Sequence, residues 1–393
     1  MRGFLGRAAL TLALVGLGAG SAPAAETPIK IGILHTFSGP LAVVGIDATN
    51  GFTLYFDEIG NRAAGREITL LKEDDAAIPS QGMERTRRLV EREHVDILTG
   101  ITNSAVAYAV RDYINQRQVP LVVMGSAGAN DITDKLGSPY IFRTSFSNRQ
   151  LAGPFGDYAC KTLGYRRIVV MASDFVTGLE QSAAFEASYR KAGCEVVKEI
   201  RPPLGTVDFA PFLSQIEPDR SDAVWAMFFA ADAIAFVKQY DAFGLKGKLP
   251  LVGSGGFVDQ SLLPAMGASS LGIVVSNQYS PYLDTAENKR FVDNFRQHFG
   301  NLPGTTAMSG YVAAKAIAKA IEAVHGDMGD KPAFLAALRK VSFDSPMGPF
   351  RFDDQQNIVF GLWLFRIVER GGIPVPETIG RLASEVDQFG NFK

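Results

Sequence analysis

Cysteine and histidine are scarce in this chain. Its 393 residues include two cysteines, Cys160 and Cys194, and four histidines. None of them stands at the spacing of a metal-binding motif, and the paired cysteines of zinc sites are absent. The sequence therefore predicts no metal site and no cofactor. The two cysteines can form a disulfide in an oxidising compartment or remain free thiols, and their spacing does not decide between these states.

The sequence also lacks the motifs of common hydrolases. It contains no Gly-x-Ser-x-Gly nucleophile motif and no Gly-x-x-x-x-Gly-Lys-Ser/Thr phosphate-binding loop. Ser188 and Lys191 match the pattern Ser-x-x-Lys, but they lie in the charged end of a predicted helix without the companion motifs, so we interpret the match as coincidence. We expect no enzymatic activity.

Neither sign of charge dominates, and apolar runs are short. The chain has 39 Lys and Arg against 41 Asp and Glu, which gives a formal net charge of −2. It therefore lacks the basic field that binding to nucleic acid or to an anionic membrane requires. Beyond the N-terminus no run reaches the roughly 18 uncharged apolar residues of a membrane helix.

The N-terminus has the pattern of a secretory signal peptide. Arg2 and Arg7 precede an apolar run from Ala8 to Ala19, and Ala22-Pro23-Ala24 gives a small-x-small cleavage pattern. We expect cleavage after Ala24 or Ala25. No cysteine follows the apolar run, which excludes a lipid anchor at the new N-terminus. The mature protein is expected to be soluble in the periplasm or secreted.

Strand and helix patterns alternate from Ile29 onward. Ile29, Ile31 and Ile33 alternate at strand period, and Leu34 extends the run as in a buried parallel strand. Repeated alternation predicts an α/β fold with parallel sheets, and at about 100–200 residues per domain the length predicts two lobes. Residues 125–149, rich in Gly, Ser, Pro and Asn, are interpreted as a first crossing between the lobes. Pro349–Phe352 and Ile358–Arg366 are predicted to form a hairpin.

Short motifs along the mature chain resemble the periplasmic branched-chain amino-acid-binding family of ABC-transporter receptors. The matching segments are Ile31–Ile33, Ser38–Pro40, Gly45, Gly100–Ser104, Phe142–Ser145, Asp208-Phe209 and Gly361–Phe365. The resemblance implies two Rossmann-like lobes of type I periplasmic-binding architecture, joined by three crossovers and closing on a solute. Within the family, the chain looks closest to receptors for aromatic and other non-amino carboxylates.

That architecture assigns each part of the chain to a lobe or a crossing. The expected ranges are 1–25 for the signal peptide, 26–124 plus 285–345 for lobe 1, 150–275 for lobe 2, 125–149, 276–284 and 346–360 for the crossings, and 361–393 for a C-terminal segment.

Two serines are the candidate contacts for a ligand carboxylate. Ser104 begins a predicted helix after strand Val95–Leu98, where a hydroxyl, backbone N–H groups and the helix dipole favour an anion. The alternative is that Asn103 or Ser104 only caps the helix. The family's carboxylate-binding serine aligns with Ser104. The resemblance also places Ser126 at the site, with backbone N–H groups of Ala127 or Gly128, although Gly128 can simply belong to a crossing loop.

The resemblance also points to a departure in the second lobe. Receptors for α-amino acids in this family carry an acid there that pairs with the ligand ammonium, and the aligned residue here is Gly255. An unpaired buried ammonium is heavily penalised. An α-amino acid is therefore disfavoured unless Asp259, Asp174 or another acid takes the role.

Aromatic residues accumulate after the predicted strands, where they can stack on a ligand ring. Phe37, Phe175, Phe229 and Tyr279 are the candidates; the alternative for each is ordinary core packing. His35 can bond a ring hydroxyl or be structural.

We therefore predict a monomeric periplasmic solute-binding protein. Its expected ligand is a small aromatic carboxylate of the benzoate or phenylpropenoate type, and its expected partner is an ABC permease in the inner membrane. A branched-chain amino acid, an amide or urea-type ligand, and a sensory role without import are the alternatives.

Overall fold

A computed structural model describes Met1 and residues 27–386. The predicted signal peptide, apart from Met1, and residues 387–393 lie outside the described residues. None of the described helices is long and apolar enough to cross a membrane.

The described chain alternates between strands and helices. The strands are β1 (Ile29–His35), β2 (Arg62–Ala63), β3 (Arg66–Asp74), β4 (Ile97–Gly100), β5 (Leu121–Val123), β6 (Ile141–Arg143), β7 (Arg167–Ala172), β8 (Glu195–Ile200), β9 (Ala223–Met227), β10 (Leu251–Ser254), β11 (Val274–Asn277), β12 (Ser342–Ser345), β13 (Gly348–Phe352), β14 (Ile358–Arg370) and β15 (Ile373–Val386). The helices are α1 (Ala42–Glu58), α2 (Pro79–Arg87), α3 (Ser104–Arg117), α4 (Asn148–Lys161), α5 (Val176–Lys191), α6 (Ala210–Leu213), α7 (Ala230–Ala242), α8 (Leu263–Met266), α9 (Ala286–Phe299), α10 (Thr305–Ala323) and α11 (Lys331–Lys340).

The first sheet has the strand order β2-β3-β1-β4-β5-β6 and forms lobe 1 with the helices around it. Its strands are parallel except that β2 runs antiparallel to β3. Ile31 and Ile33 of β1 pack in one core with Phe52 of α1, whereas Leu34 packs in a second core with Val106 of α3. Both faces of the sheet are therefore covered, as the continuous apolar pattern of β1 predicts.

The second sheet has the order β12-β13-β14-β11-β10-β9-β7-β8, and β15 pairs with β14. Strands β7 to β11 are parallel, but β14 runs antiparallel to β11 and to β15. The predicted α/β fold with parallel strands is confirmed. Each sheet is mixed, because strands that pair in antiparallel fashion are added at one edge: β2 in the first sheet and β12 to β15 in the second. The predicted hairpin is confirmed by the antiparallel pairing of β13 with β14.

Two segments expected outside the sheets are strands within them. Ile141–Arg143, assigned from sequence to the first crossing, is the edge strand of the first sheet. Residues 361–386, expected as a separate C-terminal segment, complete the second sheet as most of β14 and all of β15. The chain passes between the sheets three times, after β6, after β11 and after α11.

A fully buried arginine ties the two lobes together. The Arg143 guanidinium donates to Asn357 Oδ1 at 2.6 Å, to the Ala129 carbonyl at 2.7 Å and to the Thr133 hydroxyl. Its backbone N–H donates to the Gln356 carbonyl at 2.9 Å. Ala129 and Thr133 lie between β5 and β6 of the first sheet, whereas Gln356 and Asn357 lie between β13 and β14 of the second. Arg143 therefore joins the two lobes in one hydrogen-bonded unit.

Cys160 of α4 and Cys194 form a disulfide within lobe 2. Of the two states that the sequence leaves open, the structure has the paired one.

Candidate functional site

The strand orders predict a ligand site between the two lobes. In open α/β sheets, ligands bind beyond the carboxyl ends of the strands, at the point where the strand order reverses. That point falls between β1 and β4 in the first sheet and between β7 and β9 in the second. His35 and Thr102 lie at the first point, and Phe175 and Phe229 follow β7 and β9 at the second.

Backbone strain is found beside both points. Ile101 has a φ of 65° and Ala230 has a φ of 49°. Left-handed backbone is uncommon for a residue with a side chain and is an outlier for a β-branched one. Such strain tends to occur at functional sites. Ile101 follows β4 and Ala230 follows Phe229, so both strained residues border the predicted site.

Ser104 is available to a ligand and is not the helix cap. The cap of α3 is Asn103, whose Oδ1 accepts a hydrogen bond from the Ala105 N–H at 2.9 Å. Ser104 Oγ accepts from the Ala129 N–H at 3.1 Å, which leaves its hydroxyl hydrogen free to donate. The side chain is 4% exposed. Asn103 therefore caps the helix, and the Ser104 hydroxyl is left as a candidate donor to a ligand.

Backbone rather than side-chain groups are the free donors in the Gly125–Gly128 loop. Ser126 Oγ donates to the Thr102 carbonyl at 3.0 Å, so its hydroxyl hydrogen is already used. The backbone N–H groups of Ser126, Ala127 and Gly128 donate to no acceptor within residues 27–386. Buried N–H groups of this kind, next to the start of α3, form an arrangement suited to a carboxylate.

His35 is a neutral hydrogen-bond donor at the same place. Its Nδ1 lies 2.6 Å from Thr102 Oγ1 and accepts from the Thr36 N–H at 3.2 Å, so the ring proton resides on Nε2. Burial lowers the pKa of His35 to about 3. A Cβ on Gly125 would lie 2.8 Å from His35 Cε1, which places the adjacent Nε2 beside the Gly125–Gly128 loop. Nε2 has no partner within the described chain.

Asp47 of α1 holds the start of α10 within lobe 1. Its carboxylate accepts from Thr306 Oγ1 at 2.8 Å and from the Ala307 N–H at 2.9 Å. Burial, with a further contribution from the charge of Asp259, raises the pKa of Asp47 to about 7. Asp47 was not predicted from sequence, although an acid inside the apolar pattern of α1 is a usable signal.

The shifts of Asp47 and His35 predict opposite pH dependences of stability. Unfolded Asp and His titrate near about 4 and 6.5. From about pH 4 to 7 the folded protein keeps a proton on Asp47 that the unfolded chain has lost, so raising the pH lowers the free energy of unfolding. From about pH 6.5 down to 3 only the unfolded chain protonates His35, so lowering the pH lowers that free energy.

Between about pH 4.5 and 6 we therefore expect His35→Gln and Asp47→Asn to change the slope of stability against pH in opposite directions. Relative to wild type, His35→Gln makes the slope more negative and Asp47→Asn makes it more positive, each by up to about 1.4 kcal/mol per pH unit. Urea denaturation across this range measures both slopes. Changes of the same sign in the two variants would contradict the assignment.

None of the positions considered from sequence offers a buried acid without partners for a ligand ammonium. A Cβ on Gly255 would lie 2.8 Å from Asn277 Oδ1 and 3.0 Å from Leu151 Cδ1, so a longer side chain does not fit unless these neighbours move. Asp174 is exposed. The carboxylate of Asp259 is saturated, because Oδ2 accepts from the N–H and hydroxyl of Thr305 and Oδ1 accepts from the N–H and hydroxyl of Ser261.

The aromatic candidates divide into two groups. Phe229 is 6% exposed and lines a cavity between the lobes. Phe37 and Phe175 are half-buried near the strand ends, and Tyr279 is buried with a hydroxyl that has no partner among the described residues. The neighbouring residue Phe228 packs in the lobe 2 core instead, and its ring centre lies 4.4 Å from that of Phe236.

The cavity beside Phe229 joins residues of both lobes. Its lining residues are Val44, Phe146, Phe229, Gly256, Asp259, Ser261, Leu262, Thr305 and Thr306. The volume is about 20 Å³, enough for about one water molecule, so a ring-sized ligand enters only if the lobes or side chains move. Val44 and Thr305 were not predicted as site residues. Thr305 begins α10, far along the chain from the other lobe 1 site residues, whereas Val44 lies in α1, shortly after Phe37.

A sequence profile described as periplasmic binding protein matches residues 28–372. The chain belongs to the periplasmic binding protein family. This confirms the resemblance found in the sequence. The family consists of non-enzymatic proteins that bind small molecules and work with ABC permeases, so this periplasmic binding protein is the substrate-binding component of an ABC transporter.

Individual relatives cover nearly the whole of this periplasmic binding protein. The Leu/Ile/Val-binding protein homolog 6 of Brucella suis biovar 1 (strain 1330) is 32% identical over 348 residues, which span 87% of this chain and 88% of the relative. An ABC transporter substrate-binding protein from Sphaerobacter thermophilus is 41% identical with a TM-score of 0.86, covering 93% of this chain and 100% of that one. An ABC transporter solute-binding protein from R. palustris in complex with benzoate is 32% identical with a TM-score of 0.87, covering 93% and 99%.

Proposed function

We propose that this periplasmic binding protein binds a small aromatic carboxylate between its lobes and delivers it to an ABC permease. One observation carries the proposal: donors without partners converge at the lobe 1 strand ends, whereas the candidate acids of lobe 2 are either saturated or exposed. The donors are the backbone N–H groups of Ser126, Ala127 and Gly128, the Ser104 hydroxyl and His35 Nε2. They match a carboxylate.

The opposite side of the cleft suits an aromatic ring. Phe229 and Phe175 follow neighbouring strands of the second sheet, whereas Phe37 follows β1 on the lobe 1 side and Tyr279 follows β11. The R. palustris protein in complex with benzoate, which shares the fold and 32% of its sequence with this chain, supports an aromatic ligand.

A branched-chain amino acid is the second candidate. The Brucella suis relative, which is called a Leu/Ile/Val-binding protein homolog, favours it. Such a ligand requires an acid for its ammonium, and Asp259 can serve only if it gives up the bonds from Thr305. Leaving the ammonium unpaired, or breaking those bonds, makes the binding free energy less favourable, which disfavours this candidate.

Calorimetric titration of ligand-stripped protein distinguishes the candidates. We expect 4-hydroxybenzoate or benzoate to bind, and L-leucine to bind at least about 100-fold more weakly, because a buried ammonium without a partner costs roughly 3 kcal/mol or more. Benzamide, which keeps the ring and loses the charge, is the matched control and should also bind weakly. Tighter binding of leucine than of either aromatic acid would refute the proposal.

A further inference from the structure

Two carboxylates of lobe 2 accept hydrogen bonds from the backbone of lobe 1. Asp259, between β10 and α8, accepts from the Thr305 N–H at 3.0 Å and from Thr305 Oγ1 at 2.6 Å. Glu180 of α5 accepts from the Asn130 N–H at 2.8 Å and from Asn148 Nδ2 at 2.9 Å. Asn130 lies between β5 and β6 of the first sheet, and Thr305 begins α10. Each carboxylate therefore spans the cleft.

Helix α10 belongs firmly to lobe 1. Besides the bonds to Asp47, its Tyr311 hydroxyl donates to Glu58 Oε2 of α1 at 2.6 Å. Asp259, in turn, lies in the loop after β10 of the second sheet and bonds to Ser261 beside it. A movement that separates the two sheets therefore takes Asp259 away from Thr305 while Asp47 stays with α10.

The start of α10 depends on capping from elsewhere in the chain. Its N-cap is Gly304, which has no side chain to accept from the first N–H groups. Asp47 supplies acceptors from within lobe 1 and Asp259 supplies one from lobe 2. A carboxylate at a helix start gains from both the hydrogen bond and the dipole. The part of this stabilisation that Asp259 supplies is therefore present only while Asp259 is bonded to Thr305.

We propose that Asp259 and Glu180 are positioning residues that hold the lobes closed over a bound ligand and thereby set its rate of release. Contacts made only in the closed form raise the closed fraction, and ligand affinity follows that fraction. Asp259 and Thr305 also line the cavity beside Phe229, so their bond closes the wall of the ligand space. The inference rests on the proposed function in requiring a ligand between the lobes that leaves Asp259 bonded to Thr305, as an aromatic acid does.

The test is a double-mutant cycle on the rate of ligand dissociation. Asp259→Ala, Thr305→Val and the double variant are compared with wild type by stopped-flow fluorescence, with 4-hydroxybenzoate as the probe. If the calorimetric titration shows leucine to be the ligand instead, Glu180→Ala is tested with L-leucine, because the Glu180 carboxylate is not a candidate partner of the ligand ammonium. Failure of the proposed function therefore remains distinct from failure of this inference.

We expect Asp259→Ala to dissociate the probe about tenfold faster with the association rate unchanged, the size expected for loss of one charge-assisted hydrogen bond. Thr305→Val should produce part of this effect, and the double variant should add nothing to Asp259→Ala. Glu180→Ala should accelerate dissociation independently. Fully additive effects of Asp259→Ala and Thr305→Val, an unchanged dissociation rate, or an effect confined to association would each overturn the inference.

Asp330→Ala provides a matched control. Asp330 caps α11 through the Ala333 N–H at 2.9 Å, within lobe 1 and away from the cleft. This variant should unfold at a lower urea concentration, because a helix cap is lost, but release the probe at the wild-type rate. Small-angle X-ray scattering adds a second readout: with saturating probe, Asp259→Ala combined with Glu180→Ala should have a larger radius of gyration than wild type. Equal radii would count against the inference.

Discussion

Replacing Arg143 with methionine is expected to lower the free energy of unfolding by about 3–5 kcal/mol. The guanidinium is fully buried and satisfies Asn357, Ala129 and Thr133 at once. Methionine has similar bulk but no donors, so three buried acceptors lose their partner. Burial lowers the pKa of Arg143 only to about 10, so the charge that these acceptors stabilise persists at neutral pH.

Urea denaturation followed by circular dichroism measures this effect. Arg220→Met is the control, because the Arg220 side chain is 78% exposed in a surface ion pair with Glu217. Exposed pairs of this kind contribute little, so the control should unfold within about 0.5 kcal/mol of wild type. Equal stability of the two variants would mean that the Arg143 hydrogen bonds between the lobes do not stabilise the fold.

Replacing Phe229 with alanine is expected to weaken binding of 4-hydroxybenzoate about 100-fold, from loss of apolar contact and ring stacking together. Phe229 lies just after β9 of lobe 2 and lines the cavity together with Val44 of lobe 1. The ring position is closely fitted, because a Cβ on Gly256 would lie 2.2 Å from Phe229 Cε2. Gly256 also has a φ of 94°, which favours glycine there.

Calorimetric titration of Phe229→Ala tests this prediction. Phe243→Ala is the matched control. Phe229 directly precedes α7, whereas Phe243 directly follows this helix and is 45% exposed. The control should bind as wild type does. If Phe229→Ala also retains wild-type affinity, the ring of the ligand does not lie against this wall of the cleft.

The sequence predicts those elements whose burial is local and repetitive. The helix predicted from Ser104 begins there, and the strands predicted from Ile29 and from Ile358 begin at those residues. Each is specified by nearby residues: alternating apolar positions for the strands, and Asn103 as the cap for the helix.

Elements with mixed signals are missed or shifted. Strand β15 contains Pro374 and Pro376, which argue against a central strand and are tolerated here because β15 is an edge strand on β14. Helix α4 begins at Asn148, inside the range 125–149 that the sequence assigns to a crossing. The overlooked signal is the capping box formed by Ser147 and Gln150.

The sequence predicts which residues lie near one another at the candidate site more accurately than it predicts their hydrogen bonds. Motifs and strand ends locate Ser104, Ser126 and His35 on one rim. Which of their donors remain free depends on bonds between segments far apart in the chain, such as Ser126 to Thr102 and Thr305 to Asp259. Sequence alone does not contain these pairings.

The last described strand has a consequence for how the molecule is completed during synthesis. Gln150 of α4 donates to the carbonyl of Val386 at 3.0 Å, and β14 and β15 cover the outer side of β11. A nascent chain still on the ribosome lacks both strands, whereas the β1–β6 layer is synthesised well before them. Lobe 2 therefore reaches its final form only when residues 358–386 have emerged from the ribosome. Removing these residues exposes an apolar sheet edge that is prone to aggregation.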